Sequence, residues 1–247
     1  MAQPEWLVAD VIGVRDETST ARTLVLQIPS WPGHRSGQHI DVRLTAEDGY
    51  QATRSYSIAS APVSAGSGVA LIEISVELLD DGEVSPYLVR VTAVGDRLEL
   101  LGPIGGYFVW SDAQNEPVQL IAGGSGIAPL RAILTERAAA GTGPADSLRL
   151  LYSARARHQV YYEEEIAEIQ DGDQAEISLQ FTRSAPQDWP GTVGRVDAAL
   201  LERVCIPAAL EPTVYICGPT SFVELVASAL VALGHDQSRI RTERFGG

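Results

Sequence analysis

The chain of 247 residues has no lysine, one methionine and two cysteines, and each shortage removes a class of chemistry. Cys205 and Cys217 allow at most one disulfide, and they lack the clustered spacing that an iron–sulfur centre or a structural zinc requires. Any redox centre must then be an organic cofactor. Positive charge is also scarce: 18 basic residues, all arginine, stand against 32 acidic ones, for a net charge of −14. That balance argues against nucleic acid as a partner, because neutralising phosphates needs a basic face. A site for a small phosphate would have to be built from arginine forks and backbone amides. No apolar run approaches the roughly 20 residues that cross a bilayer, and no basic segment precedes an apolar stretch near Met1. These absences point to a cytoplasmic protein without a membrane span.

The length suits two compact units of roughly 100 to 150 residues each. Residues 1 to about 110 read as short strands at 6–14, 21–28, 39–44, 54–60, 69–78 and 97–101. They are separated by turn signals at Pro32-Gly33, Asp48-Gly49, 65–68 and Asp81-Gly82. Six such segments without a long helical period predict an antiparallel barrel or sandwich. A short helix is expected over 85–91, with Ser85 as its N-cap and Pro86 in its first position. Beyond 111–116 the pattern changes. Apolar runs at 118–122, 148–152, 177–182 and 214–217 alternate with helical stretches at 130–140, 161–170, 198–204 and 221–233, which predicts a parallel sheet covered by helices. The expected architecture is a six-stranded antiparallel β-barrel over 1–112 followed by an α/β nucleotide-binding domain over 113–247.

Several short motifs sit at the ends of these segments. Strand 118–122 runs into Gly123-Gly124-Ser125-Gly126, and Pro129 opens the next helix. Glycines let the backbone approach a pyrophosphate, and a helix N-terminus offers unpaired amides. The spacing is not the Rossmann one, since Pro129 stands where a third glycine would fall. The next strand ends in Ser153-Ala154-Arg155-Ala156-Arg157, at the carboxyl edge where open α/β sheets bind ligands. Ser153, Arg155 and Arg157 suit a 2′-phosphate, Arg183 at the end of the following strand can join them, and no carboxylate appears there before Glu163. The expected nucleotide is therefore NADPH, with NADH possible. In the first half, Arg54-Ser55-Tyr56-Ser57 puts Arg54 and Tyr56 on one strand face and Ser57 on the other. An arginine for a diphosphate beside an aromatic ring makes a plausible shelf for a flavin. Gly82-Glu83-Val84-Ser85 offers a second phosphate seat.

In their order, these motifs resemble the ferredoxin–NADP reductase superfamily over essentially the whole chain. The resemblance implies FAD bound by Arg54, Ser55, Tyr56 and Ser57, with Arg54 on the pyrophosphate, Tyr56 against the isoalloxazine and Ser57 near its N5. It implies Gly82, Val84 and Ser85 on the FAD diphosphate, and Val76 and Glu77 beside the ribityl chain or ring edge. Gly124, Ser125, Gly126 and Pro129 would form the nicotinamide-side loop, and Cys217, Gly218 and Pro219 the Cys-Gly-Pro segment that brings the thiol to nicotinamide C4. Glu243-Arg244-Phe245 resembles the closing strand, with Glu243 in the active site and Phe245 at the flavin.

The implied activity is that of a FAD-dependent NAD(P)H oxidoreductase in which Ser57, Cys217 and Glu243 serve the hydride-transfer step. Without cysteines for an appended ferredoxin domain, electrons would pass to a separate protein such as a ferredoxin, an oxygenase or another metalloenzyme. Residues 1–110 carry 7 arginines and 14 acidic groups, so either Arg15, Arg22, Arg35 and Arg43 gather locally or the acceptor is not strongly acidic. Two other readings stay open: a flavin or quinone reductase with a small-molecule acceptor, and a non-autonomous electron-transfer or regulatory subunit.

Overall fold

In the computed structural model, residues 5–62, 69–111, 113, 114, 116–141 and 147–245 are described; the expected turn at 65–68 and the loop after 141 lie outside them. The chain separates into two units, Met1–Val109 and Trp110–Gly247.

The first unit is a six-stranded antiparallel sheet of β1 (Leu7–Thr18), β2 (Ala21–Pro29), β3 (His39–Thr45), β4 (Gln51–Ser57), β5 (Val69–Glu77) and β6 (Arg97–Ile104), in the order β4-β3-β6-β1-β2-β5. Alternation builds it: Leu24, Leu26 and Ile28 of β2 are fully buried, while Val25 and Gln27 between them are half-buried. Ile72, Ile74 and Val76 of β5 and Ile40 and Val42 of β3 complete the same core. The two outer strands meet just past the end of β4, where Ile58 bridges Ile74, and this contact curls the sheet toward a barrel. β4 starts three residues earlier than its sequence pattern indicates. The Asp48-Gly49 turn, with Gly49 at φ 87° and Ala46 N–H donating to the Tyr50 carbonyl at 2.8 Å, zips Gln51 directly against Thr45.

The short helix α1 (Ser85–Arg90) departs from expectation at its start. Val84 is the N-cap and makes no side-chain cap bond, so Ser85 is the first helical residue. The Ser85 hydroxyl instead turns back to accept from the Leu79 N–H at 3.0 Å. This closes the turn around Gly82, whose own N–H donates to the Leu79 carbonyl at 2.9 Å.

The second unit is a five-stranded parallel sheet of β7 (Val118–Gly123), β8 (Leu148–Ala154), β9 (Glu176–Phe181), β10 (Thr213–Pro219) and β11 (Ile240–Phe245), ordered β11-β10-β7-β8-β9. Helices α2 (Ile127–Ala140), α3 (Glu163–Asp171), α4 (Ala198–Val204) and α5 (Thr220–Ala232) connect the strands. β7 is buried along its whole length and β10 up to Pro219, as expected for central strands of a parallel sheet covered on both faces. Ile121, Val214, Ile216, Leu201, Val223 and Leu230 form part of that core. Two helix starts differ from the sequence reading. α2 begins at Ile127 after a single 3-10 turn over Gly124–Gly126, with Pro129 inside its first turn, where a missing N–H costs no helical bond. Before α3, Tyr161 and Tyr162 are held out of the helix. Tyr152 Oη accepts from the Tyr161 N–H at 3.2 Å, and Tyr162, at φ 56°, lies under the Arg131 guanidinium at 4.6 Å.

The tightest packing is at the carboxyl end of the central strands. A Cβ on Gly126 would fall on the Cys217 carbonyl of β10, and one on Gly218 would lie 3.0 Å from the Gly123 carbonyl. Gly126→Ala should therefore push the turn into α2 away from β10. The expected loss of stability is about 1–3 kcal/mol in chemical denaturation, and an unchanged unfolding midpoint would show that this contact relaxes without cost.

Candidate cofactor sites

In the first unit, β4 carries the candidate flavin residues on an edge strand whose neighbour is β3. Tyr56 sits opposite Ile40 and packs on the core, and burial pushes its phenol up to about 12, against the opposing pull of Arg54. The ring is thus a neutral, fixed, half-exposed surface, suited to lie against a flat heterocycle. Ser57 is buried at the end of the strand. Ser55, on the face opposite Tyr56, donates to Asp41 at 2.5 Å. Arg54 projects into solvent and pairs with Glu83 at 2.5 Å, which joins β4 to the Gly82–Ser85 turn. Val76 lies wholly within the core, so its backbone alone is available to a ligand, whereas Glu77 at the strand end is exposed. Glu83, which accepts from both Arg54 and Tyr50, was missed from the sequence along with Tyr50, although Glu83 lies inside a segment read as a phosphate seat.

In the second unit, the candidates gather along the carboxyl edge of the sheet. Gly124, at φ 57°, has open space where a Cβ would be, and this left-handed turn leads into the start of α2. Its backbone is a cradle that a side chain would fill, which fits the approach of a pyrophosphate. Ser125 is half-buried, while Gly126 and Pro129 are packed inside. One strand over, Ser153 is buried opposite Gly123 of β7. Arg155 and Arg183 are exposed, and the Arg155 carbonyl accepts from the N–H groups of Arg183 (3.0 Å) and Ser184 (3.2 Å), which joins the two loops in one ledge. Neither guanidinium has an ion-pair partner among the described residues. Arg157, read alongside them, is drawn away instead, its Nε 2.6 Å from Glu163.

On the other side of β7, Cys217 of β10 is in register with Glu243 of β11, and Pro219 with Phe245. Cys217 is fully buried, and burial, with a smaller push from the Glu243 charge, raises its thiol well above the usual value. It is a neutral, apolar packing group rather than a thiolate nucleophile. Burial likewise raises the Glu243 carboxyl to about 7, and its Oε2 is enclosed without a hydrogen-bond partner among the described residues. This carboxyl can take or give a proton near neutral pH. Phe245 ends the strand half-buried. An open glycine cradle, two unopposed guanidiniums and an orphaned carboxyl oxygen on one edge fit a phosphorylated dinucleotide.

Residues 12–109 match the oxidoreductase FAD-binding domain and residues 120–228 the oxidoreductase NAD-binding domain. The chain is 27% identical to NADH-cytochrome b5 reductase 1 of Lodderomyces elongisporus, over 82% of this chain and 65% of that protein. It is 30% identical to the glycine betaine monooxygenase reductase subunit of Chromohalobacter salexigens, over 86% of this chain and 56% of that one. The chain thus spans less than two thirds of these relatives. Among solved structures, the FAD/NAD-binding domain of a nitric oxide dioxygenase from Vibrio cholerae superposes with a TM-score of 0.86 at 26% identity, covering 99% of this chain and all of that one. With an FAD-binding domain followed by an NAD-binding domain in this fold, the chain belongs to the ferredoxin–NADP reductase superfamily of oxidoreductases.

Proposed function

We propose that the chain takes electrons from NADPH and passes them, by way of FAD, to a separate redox protein. The observation that carries the nucleotide choice is the Arg155–Arg183 ledge, two guanidiniums with no carboxylate partner among the described residues, one strand beyond the Gly124 cradle. When bound, the two cofactors supply hydride transfer between nicotinamide C4 and flavin N5. The chain supplies position and polarity. Arg54 and the Gly82–Ser85 turn hold the FAD diphosphate, Tyr56 supports the ring, and Ser57 offers its hydroxyl near N5. The backbone of Val76 and Glu77 flanks the ribityl chain. Gly124, Ser125 and Gly126, at the start of the helix carrying Pro129, take the nucleotide pyrophosphate, while Arg155 and Arg183, with Ser153 behind them, take the 2′-phosphate. Cys217, Gly218 and Pro219 line the nicotinamide with apolar surface, and Glu243 holds or releases a proton beside it.

The acceptor follows from charge. Of the four arginines read as a possible patch, Arg15 pairs with Glu17, Arg22 with Asp16 and Arg43 with Glu99, which leaves only Arg35 without an ion pair among the described residues. A strongly acidic ferredoxin would be repelled by a unit with a twofold excess of acid. The partner we propose is instead an oxygenase component, a cytochrome or another metalloprotein of milder charge, in keeping with relatives named as a monooxygenase reductase subunit and a cytochrome b5 reductase.

Anaerobic titration of the flavin-loaded protein should bleach the flavin absorbance with NADPH at lower concentration than with NADH. No bleaching with either nucleotide would overturn the reading. Combining Arg155→Ala with Arg183→Ala should raise the KM for NADPH by about tenfold or more, given the usual strength of charge-assisted contacts, and leave that for NADH nearly unchanged; equal effects on both would remove the 2′-phosphate assignment.

Glu243 gives a pH signature that needs no cofactor. Its carboxyl is raised from 4.5 to about 7 by burial, so the fold favours the protonated form. Its contribution to stability is complete below the unfolded value and is lost as pH rises through 7. Glu243→Gln, which stays neutral, should match the wild-type melting temperature at acid pH and exceed it above neutrality, where its unfolding free energy would be larger by on the order of 3 kcal/mol at most. Melting curves offset equally at every pH would refute this.

A further inference from the structure

Arg54 is the guanidinium on which the flavin reading depends, and in this structure it is already engaged. Its Nη2 donates to Glu83 Oε2 at 2.5 Å, while Glu83 Oε1 accepts from the Tyr50 hydroxyl at 2.6 Å. Both carboxylate oxygens are thereby satisfied. The two hydrogen bonds, first that from Tyr50 and then that from Arg54, hold the Glu83 carboxyl below its ordinary value, so it is anionic at neutral pH.

The position of this anion is specific. Glu83 follows Gly82 inside the Gly82–Ser85 turn, and that turn is fixed from within by the Ser85 hydroxyl and the Leu79 backbone. Arg54 stands opposite on β4, an edge strand held in register by β3. The carboxylate therefore lies between the two elements assigned to the same diphosphate, and it binds the guanidinium through the contact a phosphate oxygen would make. The side chains of Arg54 and Glu83 are about half exposed, at 52% and 46%. An ion pair in water is held weakly and opens by side-chain rotation alone, with no unpacking of the core.

We propose that Glu83 is an internal stand-in for the flavin diphosphate: it occupies Arg54 in the empty protein, must be displaced when FAD binds, and so keeps FAD affinity low enough for exchange. The inference rests on Arg54 and the 82–85 turn being the diphosphate seat. Binding then exchanges one anion for another on the same arginine, and the displaced carboxylate remains near a ligand of like charge. Both effects weaken FAD and neither acts on riboflavin, which carries no phosphate. Tyr50 strengthens the stand-in by orienting the carboxylate toward Arg54.

The test is calorimetric titration of the full chain, stripped of flavin, with FAD and with riboflavin. Glu83→Gln should tighten FAD about fivefold, the scale of an exposed ion pair, and leave riboflavin unchanged. Tyr50→Phe should shift FAD in the same direction by less. In an Arg54→Gln background, FAD should bind more weakly and the gain from Glu83→Gln should shrink to what like-charge repulsion alone contributes. Unchanged or weaker FAD binding by Glu83→Gln overturns the inference. So does equal tightening of riboflavin, or a gain that is undiminished without Arg54. A wild-type chain that takes up no FAD at all overturns the flavin reading itself, which is a different outcome from FAD uptake that ignores residue 83.

Discussion

The close approach of β7 and β10 at their carboxyl ends is the constraint on which the nucleotide-binding unit depends. Gly126 leaves no room for a side chain against the Cys217 carbonyl, and Gly218 comes nearly as close to the Gly123 carbonyl. Because these two central strands are locked together there, the turn into α2 is fixed relative to the end of β10. The turn carrying the Gly124 cradle leaves β7 directly, and the Cys217–Glu243 pair is held on adjacent strands by backbone hydrogen bonds. A site built this way can hold a reactive geometry without large rearrangement.

Electrostatics around that edge is arranged by burial more than by ion pairing. Most arginines of the chain meet carboxylates, as the balance of 18 bases to 32 acids would lead one to expect. Arg155 and Arg183 are among those that meet none within the described residues, and Glu243 Oε2 has no hydrogen-bond partner there. Leaving a buried carboxyl oxygen without a partner costs stability, and the orphaned groups mark the places where a bound anion or a transferred proton would restore the balance. In the barrel unit the reverse holds: the arginine that FAD would need is satisfied by Glu83, so ligand binding there is an exchange of partners.

The motif-bearing strand ends were legible because each depends on local chemistry. Alternation in β2 and β5, the buried runs of β7 and β10, and the glycine turn before α2 all follow from residue type at fixed spacing. Ser85 was misplaced as an N-cap because serine is favoured there in general, whereas here its hydroxyl closes the turn at Leu79. The start of α3 was misplaced because Tyr161 and Tyr162 carry helical spacing but are pulled out by Tyr152 and Arg131, partners 9 and 31 residues away in sequence.

The sequence by itself determined that the chain has two units of different sheet type, that its redox chemistry must come from organic cofactors, and that phosphate recognition must use arginine and backbone amides. Those conclusions need only composition, periodicity and short motifs. Which arginines are free was decided by tertiary structure alone. Arg155, Arg157 and Arg54 look alike as residues, yet Glu163 takes the second and Glu83 the third, while Arg155 meets no carboxylate among the described residues. The same is true of Glu243, an ordinary acid in sequence, whose proton affinity is raised because β11 carries it into an enclosed place beside a buried thiol. Pairing and desolvation depend on neighbours distant in sequence, and only the folded chain supplies them.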